Sequence, residues 1–263
     1  MPISAEAPWL NYYGAIPRTL NYPRLTIYQL VAQTARECPD LPAYEFMGRR
    51  TSYRDFLARI DRAALALYTA GIRAGDRVTI CMPNTPQALD CFYALNRIGA
   101  VSNMIHPLSA EEEIRFYLDV SGSQAILTLD RFYGKVAAAA ARAKRKPKLW
   151  IARLQPELKP LMRLGYNLTQ GRKTPKLPQE GCTLWTDLLR KAAGTLPPDD
   201  GQCDACASIL YSGGTTGTTK GIVLTNGNFN ALAQQIIATN PMFRPGDKML
   251  AAMPLFHGFG LGV

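Results

Sequence analysis

The sequence predicts an α/β protein in which a parallel sheet carries helices on both faces. Between residues 76 and 151, short apolar segments of strand length alternate with longer segments of helical apolar spacing, a pattern typical of parallel sheets. A donor-rich stretch at 211–221, YSGGTTGTTKG, lies between two further short apolar segments. With 263 residues, 47% of them hydrophobic, the chain is long enough to bury a substantial core.

Two amphipathic helices and an intervening hairpin are predicted before the alternating region. The helices are expected at 25–38 and 53–70, and the hairpin strands at 43–46 and 51–53. Ser52 is a candidate cap for the second helix, and Gly71 is a natural end for it.

The alternating region predicts the main part of the sheet. The predicted strands are 77–82, 101–105, 124–129 and 148–151, and the predicted helices are 86–98, 109–120 and 132–145. Ser109 and Glu112 have the spacing of a capping box. Further along the chain we expect helices at 161–168, 184–192 and 226–239, the last capped by Asn226, and strands at 205–210, 222–224 and 248–252.

The stretch at 211–221 has the composition of a phosphate-binding loop. Glycines at 213, 214 and 217 allow positive φ and close approach of the backbone to a ligand. The other donors are the hydroxyls of Ser212, Thr215, Thr216, Thr218 and Thr219 and the ammonium of Lys220. The lysine spacing excludes a Walker loop, and the glycine spacing excludes a dinucleotide fingerprint. The alternative interpretation is a flexible turn between two strands.

This stretch resembles the signature loop of the AMP-forming acyl-CoA synthetases and their adenylating relatives, in which Tyr-Ser-Ser-Gly-Thr-Thr-Gly-x-Pro-Lys-Gly is usual. Gly213 replaces the second small hydroxyl residue and Thr219 replaces the common proline. The segments NRIGAVSNMIHPLSAEEEIRFYL and MPLFHGFGLGV resemble two further blocks of that family; for the first, we favour a structural role.

The resemblance implies a fold, an activity and a site. The fold would be the N-terminal portion of the adenylate-forming enzymes, and the activity would be ATP-dependent conversion of a carboxylic acid, with a fatty acid favoured, to acyl-AMP and then acyl-CoA. The implied cofactors are ATP, Mg²⁺ and coenzyme A. Lys220 and Thr216 would be catalytic, residues 212–220 would bind the ATP phosphates, and His257 would line the acyl pocket. By itself, His257 would more ordinarily be a packed core residue.

The resemblance also implies that residues 1–263 are a truncated AMP-binding domain. Complete family members are about twice as long, and the adenine, ribose and magnesium motifs, the hinge and the small carboxy-terminal domain have no counterpart here. We therefore expect this chain to be inactive alone, with 258–263 left as an unpaired apolar strand or loop. Two alternatives are a non-catalytic nucleotide- or acyl-binding half that pairs with a separate carboxy-terminal half, and a gene remnant without function.

A basic insertion, 142–180, interrupts the alternating pattern. Residues 142–176 contain eleven Lys or Arg and one acid, Glu157, and this excess equals the net charge of +10 of the whole chain. The stretch is either a solvated insertion or an attachment site for an anionic membrane surface. In the second case, neutralising Lys144, Arg145 and Lys146 should weaken attachment. Nucleic acid is disfavoured because the stretch lacks interleaved stacking aromatics.

Two features bear on the cellular compartment. No secretory signal is recognisable in the first thirty residues and no apolar run has the length of a membrane span, so we predict a cytoplasmic protein, peripheral at a membrane if the basic stretch attaches. Cys203 and Cys206 form a C-x-x-C pair. We favour reduced structural thiols there over a metal or redox site.

Overall fold

The computed structural model describes residues 7–171, 175, 177–212 and 219–262. The helices are α1 (Ile27–Glu37), α2 (Tyr53–Thr69), α3 (Pro86–Arg97), α4 (Glu111–Ser121), α5 (Tyr133–Arg142), α6 (Pro160–Leu168), α7 (Trp185–Arg190), α8 (Asn226–Thr239) and α9 (Gly258–Gly262). The strands are β1 (Pro42–Phe46), β2 (Arg49–Ser52), β3 (Arg77–Cys81), β4 (Val101–Met104), β5 (Ala125–Leu129), β6 (Lys148–Ala152), β7 (Thr183–Leu184), β8 (Cys206–Ser212) and β9 (Lys220–Thr225).

The main sheet of the described residues has the strand order β7-β6-β5-β3-β4-β8-β9. Neighbours from β7 to β8 are parallel, which confirms the predicted fold class, and β9 is antiparallel to β8. β1 and β2 form the separate hairpin predicted before the sheet. Because the parallel strands run in one direction, β3, β4, β5, β6 and β8 all end at the same side of the sheet, here called the carboxyl edge.

Helices cover both faces of this sheet. Along β3, Val78 and Ile80 pack into a core with α2, α3 and α7, whereas Cys81 packs into a second core with α4 and α5. On β5, Leu127 and Ile126 divide between the same two cores. This division follows from the alternation of side chains along a strand. The sheet is therefore buried on both sides where β3 and β5 lie, as a parallel sheet requires.

The helix caps match the sequence predictions only in part. Ser52 caps α2, and its hydroxyl accepts from the Asp55 N–H at 3.1 Å. The predicted box of Ser109 and Glu112 is wrong by one residue, because α4 begins at Glu111 and the Ala110 N–H donates to Glu113 at 2.9 Å. A capping box of Thr26 and Gln29 opens α1 and was not predicted.

The predicted cap of α8 is also wrong. The cap is Thr225, whose hydroxyl accepts from the Asn228 N–H at 3.2 Å. The side chain of Asn226 instead turns inward, where its Oδ1 accepts from Asn96 at 2.7 Å and from the Ile27 N–H at 3.2 Å. These two bonds connect α8 to α3 and α1, so Asn226 joins helices instead of capping one.

The last part of the described chain departs most from the expectations. The strand predicted at 248–252 does not form, since no strand of the described residues pairs with this segment, and Met249 and Leu250 are exposed. Residues 258–262 form the short helix α9 where an unpaired strand or loop was expected. Gly260 allows this turn because a Cβ there would collide with the Pro254 carbonyl. Among the helices of the described residues, none combines the length and the hydropathy that a membrane span requires.

Candidate functional site

The segment 213–218, here called the Gly/Thr stretch, lies between β8 and β9 at the carboxyl edge of the sheet. Ser212 and Lys220 are paired in register at the loop end of this hairpin, so the two flanks of the stretch lie side by side. The residues Gly213, Gly214, Thr215, Thr216, Gly217 and Thr218 lie outside the described residues. Ligands of open α/β sheets bind beyond the carboxyl ends of the strands, which is where the chain places this stretch.

The described flanks differ in exposure. Ser212 and Thr219 are half-buried, whereas Lys220 is exposed. Within the described part of the chain, no carboxylate lies within ion-pair distance of the Lys220 ammonium. Its charge is therefore not neutralised by a described acidic side chain at the edge where an anion would bind.

A buried polar network supports the first flank from below. The Tyr211 hydroxyl donates to Asn103 Oδ1 at 2.8 Å, and Asn103 Nδ2 in turn donates to Thr79 at 2.8 Å and to Ser121 at 3.2 Å. Burial raises the pKa of Tyr211 to about 12, so its hydroxyl remains a donor at neutral pH. These bonds connect β8 to β4, β3 and the end of α4 immediately before the Gly/Thr stretch begins.

Tyr117 of α4 contacts both flanks. Its ring lies 4.3 Å from the Tyr211 ring, centroid to centroid. Burial raises the pKa of Tyr117, and the neighbouring Thr219 side chain opposes this rise. Both flanks of the stretch therefore lie beside one helix. Neither Asn103 nor Tyr117 was singled out from the sequence. The one available signal was an asparagine in the otherwise apolar strand segment 101–105, since a buried amide requires partners.

Asn84, just after β3, holds the segment that precedes α9. Its Nδ2 donates to the carbonyls of Ala251 at 3.0 Å and Met253 at 2.8 Å, and its Oδ1 accepts from the Leu255 N–H at 2.8 Å. Next to this anchor the Phe256 ring contacts the His106 ring, with 4.3 Å between the centroids and 47° between the planes. This part of the MPLFHGFGLGV block is therefore fixed over the carboxyl ends of β3 and β4.

The predicted acyl-pocket residue His257 follows immediately. It is exposed, and its Nδ1 accepts from the Phe259 N–H at 3.3 Å. Its neighbour Gly258 lies against Leu210 of β8. The structure therefore places His257 close to the strand that leads into the Gly/Thr stretch, with the imidazole exposed and not packed as a core residue.

A cleft of about 620 Å³ opens at the carboxyl edge on the other side of β4 from the Gly/Thr stretch. Its floor is the ends of β3 and β5, and its walls include the β1–β2 turn and α6. Most of the lining is apolar, with Asn84 and Arg131 among the polar exceptions; the apolar residues include Phe46, Met47, Leu108, Leu129, Phe132 and Leu154. The volume and lining are those of a small-molecule site.

The residues that the structure describes do not form a resident metal site. In the described ranges there is no cluster of three or more His, Cys, Asp or Glu that could hold an ion. All six cysteines are free thiols. Cys203 donates to the Pro23 carbonyl at 3.7 Å, and Cys206 lies 4.0 Å from the Ser208 carbonyl, so both are in contact with backbone carbonyls.

Known proteins resemble this chain over most of its length. The long-chain-fatty-acid–CoA ligase of Bacillus subtilis is 28% identical over 271 residues, which cover 98% of this chain and 47% of that protein. The 4-coumarate–CoA ligase 2 of Oryza sativa subsp. japonica is 29% identical over 243 residues, 90% of this chain and 41% of that protein. The chain thus spans about half the length of the relatives it matches.

Solved structures agree with the fold. The N-terminal domain of FACL13 from Mycobacterium tuberculosis superposes with a TM-score of 0.71 at 26% identity, covering 90% of this chain and 53% of that one. A long-chain-fatty-acid–CoA ligase from Archaeoglobus fulgidus gives a TM-score of 0.71 at 17% identity, covering 93% and 45%. A sequence model of AMP-binding enzymes matches residues 31–263, and the chain therefore belongs to the AMP-binding enzyme family.

Proposed function

We propose that this chain is the ATP-phosphate-binding half of an AMP-forming acid–CoA ligase. The observation that carries the proposal is the position of the Gly/Thr stretch, between β8 and β9 at the carboxyl edge, in a chain of the AMP-binding family. On this account residues 1–263 are an incomplete AMP-binding domain that includes the basic insertion 142–180.

The proposed reaction has two steps. In the first, a carboxylate oxygen of the acid attacks the α-phosphorus of ATP, and the bond to pyrophosphate breaks to give acyl-AMP. In the second, the sulfur of coenzyme A attacks the acyl carbon, the thiol proton is lost, and AMP leaves with the electrons of the broken C–O bond. The acid is already an anion at neutral pH. The first step therefore needs no general base.

The residues of the loop act by binding and orienting the triphosphate. The Lys220 ammonium is a compact charge on a flexible stem, and the hydroxyls of Ser212, Thr215, Thr216, Thr218 and Thr219 are short donors. Donors held in place before the reaction stabilise charge that develops in the transition state. The Tyr211 contacts support this role because they fix the end of the stretch that follows β8. Among these donors we assign the catalytic role to Lys220 and Thr216.

Mg²⁺ belongs to this proposal as part of the ATP complex. When bound, it would neutralise phosphate charge. The described residues supply no acidic cluster for it, so we assign it no ligand among them. On the family resemblance, an acidic ligand would come from the complementary half.

The acid substrate is proposed to be a fatty acid. The cleft of about 620 Å³ is lined mostly by apolar residues, which suits a hydrocarbon chain, and relatives carry the name long-chain-fatty-acid–CoA ligase. We also assign His257 to the acyl site; it does not line this cleft, and the assignment is supported by the contact of its neighbour Gly258 with β8. Use of ATP and coenzyme A favours a cytoplasmic location, with peripheral attachment to an anionic membrane through 142–176.

A complementary polypeptide is the proposed partner. β9 is an edge strand with Ile222 and Val223 exposed, and further large apolar side chains are exposed beyond it, namely Ile237, Met242, Phe243, Met249, Leu250, Met253 and Phe259. Exposed apolar surface on this scale favours a covering partner. The partner would be a carboxy-terminal half, either in the same longer chain or as a separate one. No nucleic-acid partner is proposed.

The test is carboxylate-dependent exchange of labelled pyrophosphate into ATP. The chain alone should show none, and the chain combined with the carboxy-terminal half of a related ligase, by fusion or mixing, should regain it. Activity of the isolated chain at the level of the combination would contradict the proposal that it is incomplete. A combination that forms a stable complex but performs no exchange with any carboxylic acid would contradict the ligase assignment.

A further inference from the structure

The helix α6 presents its apolar side to solvent. Leu161, Leu164 and Leu168 are 81%, 58% and 54% exposed, and none of the nine residues of the helix is buried. Positions i, i+3 and i+7 lie on one face of a helix. The three leucines therefore form a single stripe, here called the leucine face.

The opposite side of α6 is the one attached to the protein. The Arg163 guanidinium donates to the carbonyl of Gln155 at 2.9 Å, and Tyr166 is half-buried and lines the apolar cleft. A surface helix of a globular protein normally shows the reverse arrangement, with its apolar face inward. The orientation of α6 thus leaves an apolar face available to something outside this chain.

The surroundings of the leucine face are basic. Lys159 immediately precedes the helix and is exposed, whereas Arg153, just after β6, is 4.0 Å from the buried Asp130. The one acid in this stretch, Glu157, is buried and paired with Arg59 at 3.0 Å. Its charge is therefore compensated inside the protein, so Lys159 leaves this surface positive.

The fold places the described parts of the basic segment 142–176 at two edges of the sheet. Lys144, Arg145 and Lys146 lie between α5 and β6, before the strand begins, whereas α6 follows the end of the same strand. The five residues of β6 separate these positions by about 15 Å along the strand. The triplet and the leucine face therefore cannot act as one continuous patch.

We propose that α6 docks on the surface of an anionic lipid bilayer, with the leucine face among the acyl chains and Lys159 at the level of the phosphates. An apolar stripe beside basic residues is the pattern of helices that lie in the membrane interface. A second copy of this chain is a poorer occupant because two such surfaces would bring like charges together.

Docking of α6 would also determine where the apolar cleft lies relative to the bilayer. Tyr166 of α6 forms part of the cleft wall, so docking of the leucine face holds the cleft next to the bilayer. This consequence rests on the proposed function: an acid dissolved in the bilayer would enter the cleft without crossing bulk water. The docking itself does not depend on it.

The experiment is sedimentation of the full chain with vesicles, in three comparisons. The wild type should sediment with phosphatidylcholine vesicles containing about 30% phosphatidylglycerol, and less with phosphatidylcholine alone, because anionic headgroups attract the basic residues. Leu161→Gln/Leu164→Gln/Leu168→Gln should lower the partition coefficient at least about tenfold, since apolar burial is lost without a change of charge. Lys144→Gln/Arg145→Gln/Lys146→Gln should change it by less than about threefold, because these residues lie at the other edge.

Val120→Gln is the matched control. Val120 is 56% exposed on α4, so its replacement removes an exposed apolar side chain elsewhere and should leave binding unchanged. Circular dichroism of each variant establishes that it is folded. A leucine variant that is folded and sediments like the wild type would overturn the proposal, as would a lysine–arginine variant that alone abolishes binding.

A second measurement locates the helix directly. Tryptophan fluorescence of Leu164→Trp, after subtraction of the wild-type signal, should shift to the blue with anionic vesicles and be quenched by brominated acyl chains. An unchanged spectrum with bound vesicles would place α6 in water and contradict the docking. Loss of a lipid-free dimer in the leucine variant would also contradict it, because the face would then contact a second copy. None of these measurements needs ATP, so failure of the ligase proposal would not mimic their failure.

Discussion

On β3, β5 and β6 nearly every strand side chain is buried between two layers of helices, whereas β9 and the segment after α8 leave large apolar side chains exposed. Both regions are apolar in sequence. They differ in what the described chain provides to cover them, because β3 and β5 have strands on both sides and β9 has a partner on one side alone.

This difference separates the elements that the described chain covers with its own helices and strands from the elements that it leaves uncovered. The packed region, made of α2 to α5, α7 and the strands β3 to β8, carries its own helices and its own polar contacts, so its stability depends on residues that are present here. The exposed region, 219–262, is attached through the pairing of β9 with β8, through buried side chains of α8 such as Phe229, and through the contacts of Asn84 with the backbone near Leu255, while many of its large apolar side chains stay exposed. We therefore expect substitutions in the packed region to change the free energy of unfolding, and substitutions in the exposed region to change self-association.

The largest expected effect is from Arg59→Met in the packed region. Arg59 forms a bidentate pair with the buried Asp90 and also bonds Glu157. Without Arg59 two buried carboxylates lose their counter-charge, so we expect a loss of about 3–5 kcal/mol in the free energy of unfolding. Denaturant titration measures it. The exposed pair gives the control: Arg50→Met should cost about 1 kcal/mol or less.

The Arg59→Met variant should also respond to pH. Burial raises the pKa of Asp90 to about 6 even with Arg59 present, and removing the cation raises it further. A folded pKa above the unfolded value of about 4 means that protonation favours the folded state, so the stability it contributes is lost as pH rises. The penalty should therefore be larger at about pH 8 than at about pH 5. An equal penalty at both values would contradict this account of Asp90.

Leu127→Ala tests the packed core without charge. Leu127 is fully buried between the helix layers, and the cavity left by truncation should cost about 2–5 kcal/mol of unfolding free energy. Leu250→Ala in the exposed region is its match, because Leu250 is 88% exposed and should change the value by less than about 0.5 kcal/mol. Similar losses for both variants would remove the distinction between the two regions.

Tyr211→Phe tests the boundary between them. The variant leaves Asn103 Oδ1 buried without its donor, so we expect a loss of about 1–3 kcal/mol. Tyr12→Phe, at a tyrosine that is 88% exposed, should have no effect. If Tyr211→Phe is equally silent, the network does not support the flank of the Gly/Thr stretch.

The smallest effect on stability, but a visible one on solubility, is expected from Val223→Lys. Val223 is 60% exposed on the edge strand β9, and edge strands invite pairing that charged side chains oppose. We expect the wild-type chain to self-associate and the variant to do so less, as measured by sedimentation velocity. A wild-type chain that is a well-behaved monomer would indicate that the exposed region needs no cover.

The same division explains what the sequence could predict. Strands 77–82 and 124–129 were predicted within one residue of β3 and β5, since alternation and local apolar runs are sequence-local signals. The segment 248–252 has the same kind of pattern, yet it forms no strand among the described residues because no neighbour strand is there to pair with it. A strand pattern predicts a strand only where the fold supplies a partner.

The site contacts were beyond sequence reasoning for a different reason. Tyr211 and Asn103 are 108 positions apart, and Asn84 and Leu255 are 171 apart. Each pair meets only because the strand order brings β8 next to β4 and the later segment over β3. The stretch 211–221 was recognisable because its donors are contiguous, whereas the residues that hold its ends are distributed over the fold.

The measurement that bears most directly on the central claim is the pyrophosphate exchange rate of Lys220→Ala and Thr216→Ala in the combination of this chain with a carboxy-terminal half. If the loop binds the ATP phosphates and acts mainly in the transition state, each variant should lower the rate by about 10²–10³-fold. Lys220→Arg should not restore it fully, because a planar guanidinium differs in shape from an ammonium. Lys248→Ala, an exposed lysine 3.6 Å from Glu45, should keep the parental rate. If both alanine variants of the loop also keep it, the stretch is only a turn and the assignment is wrong.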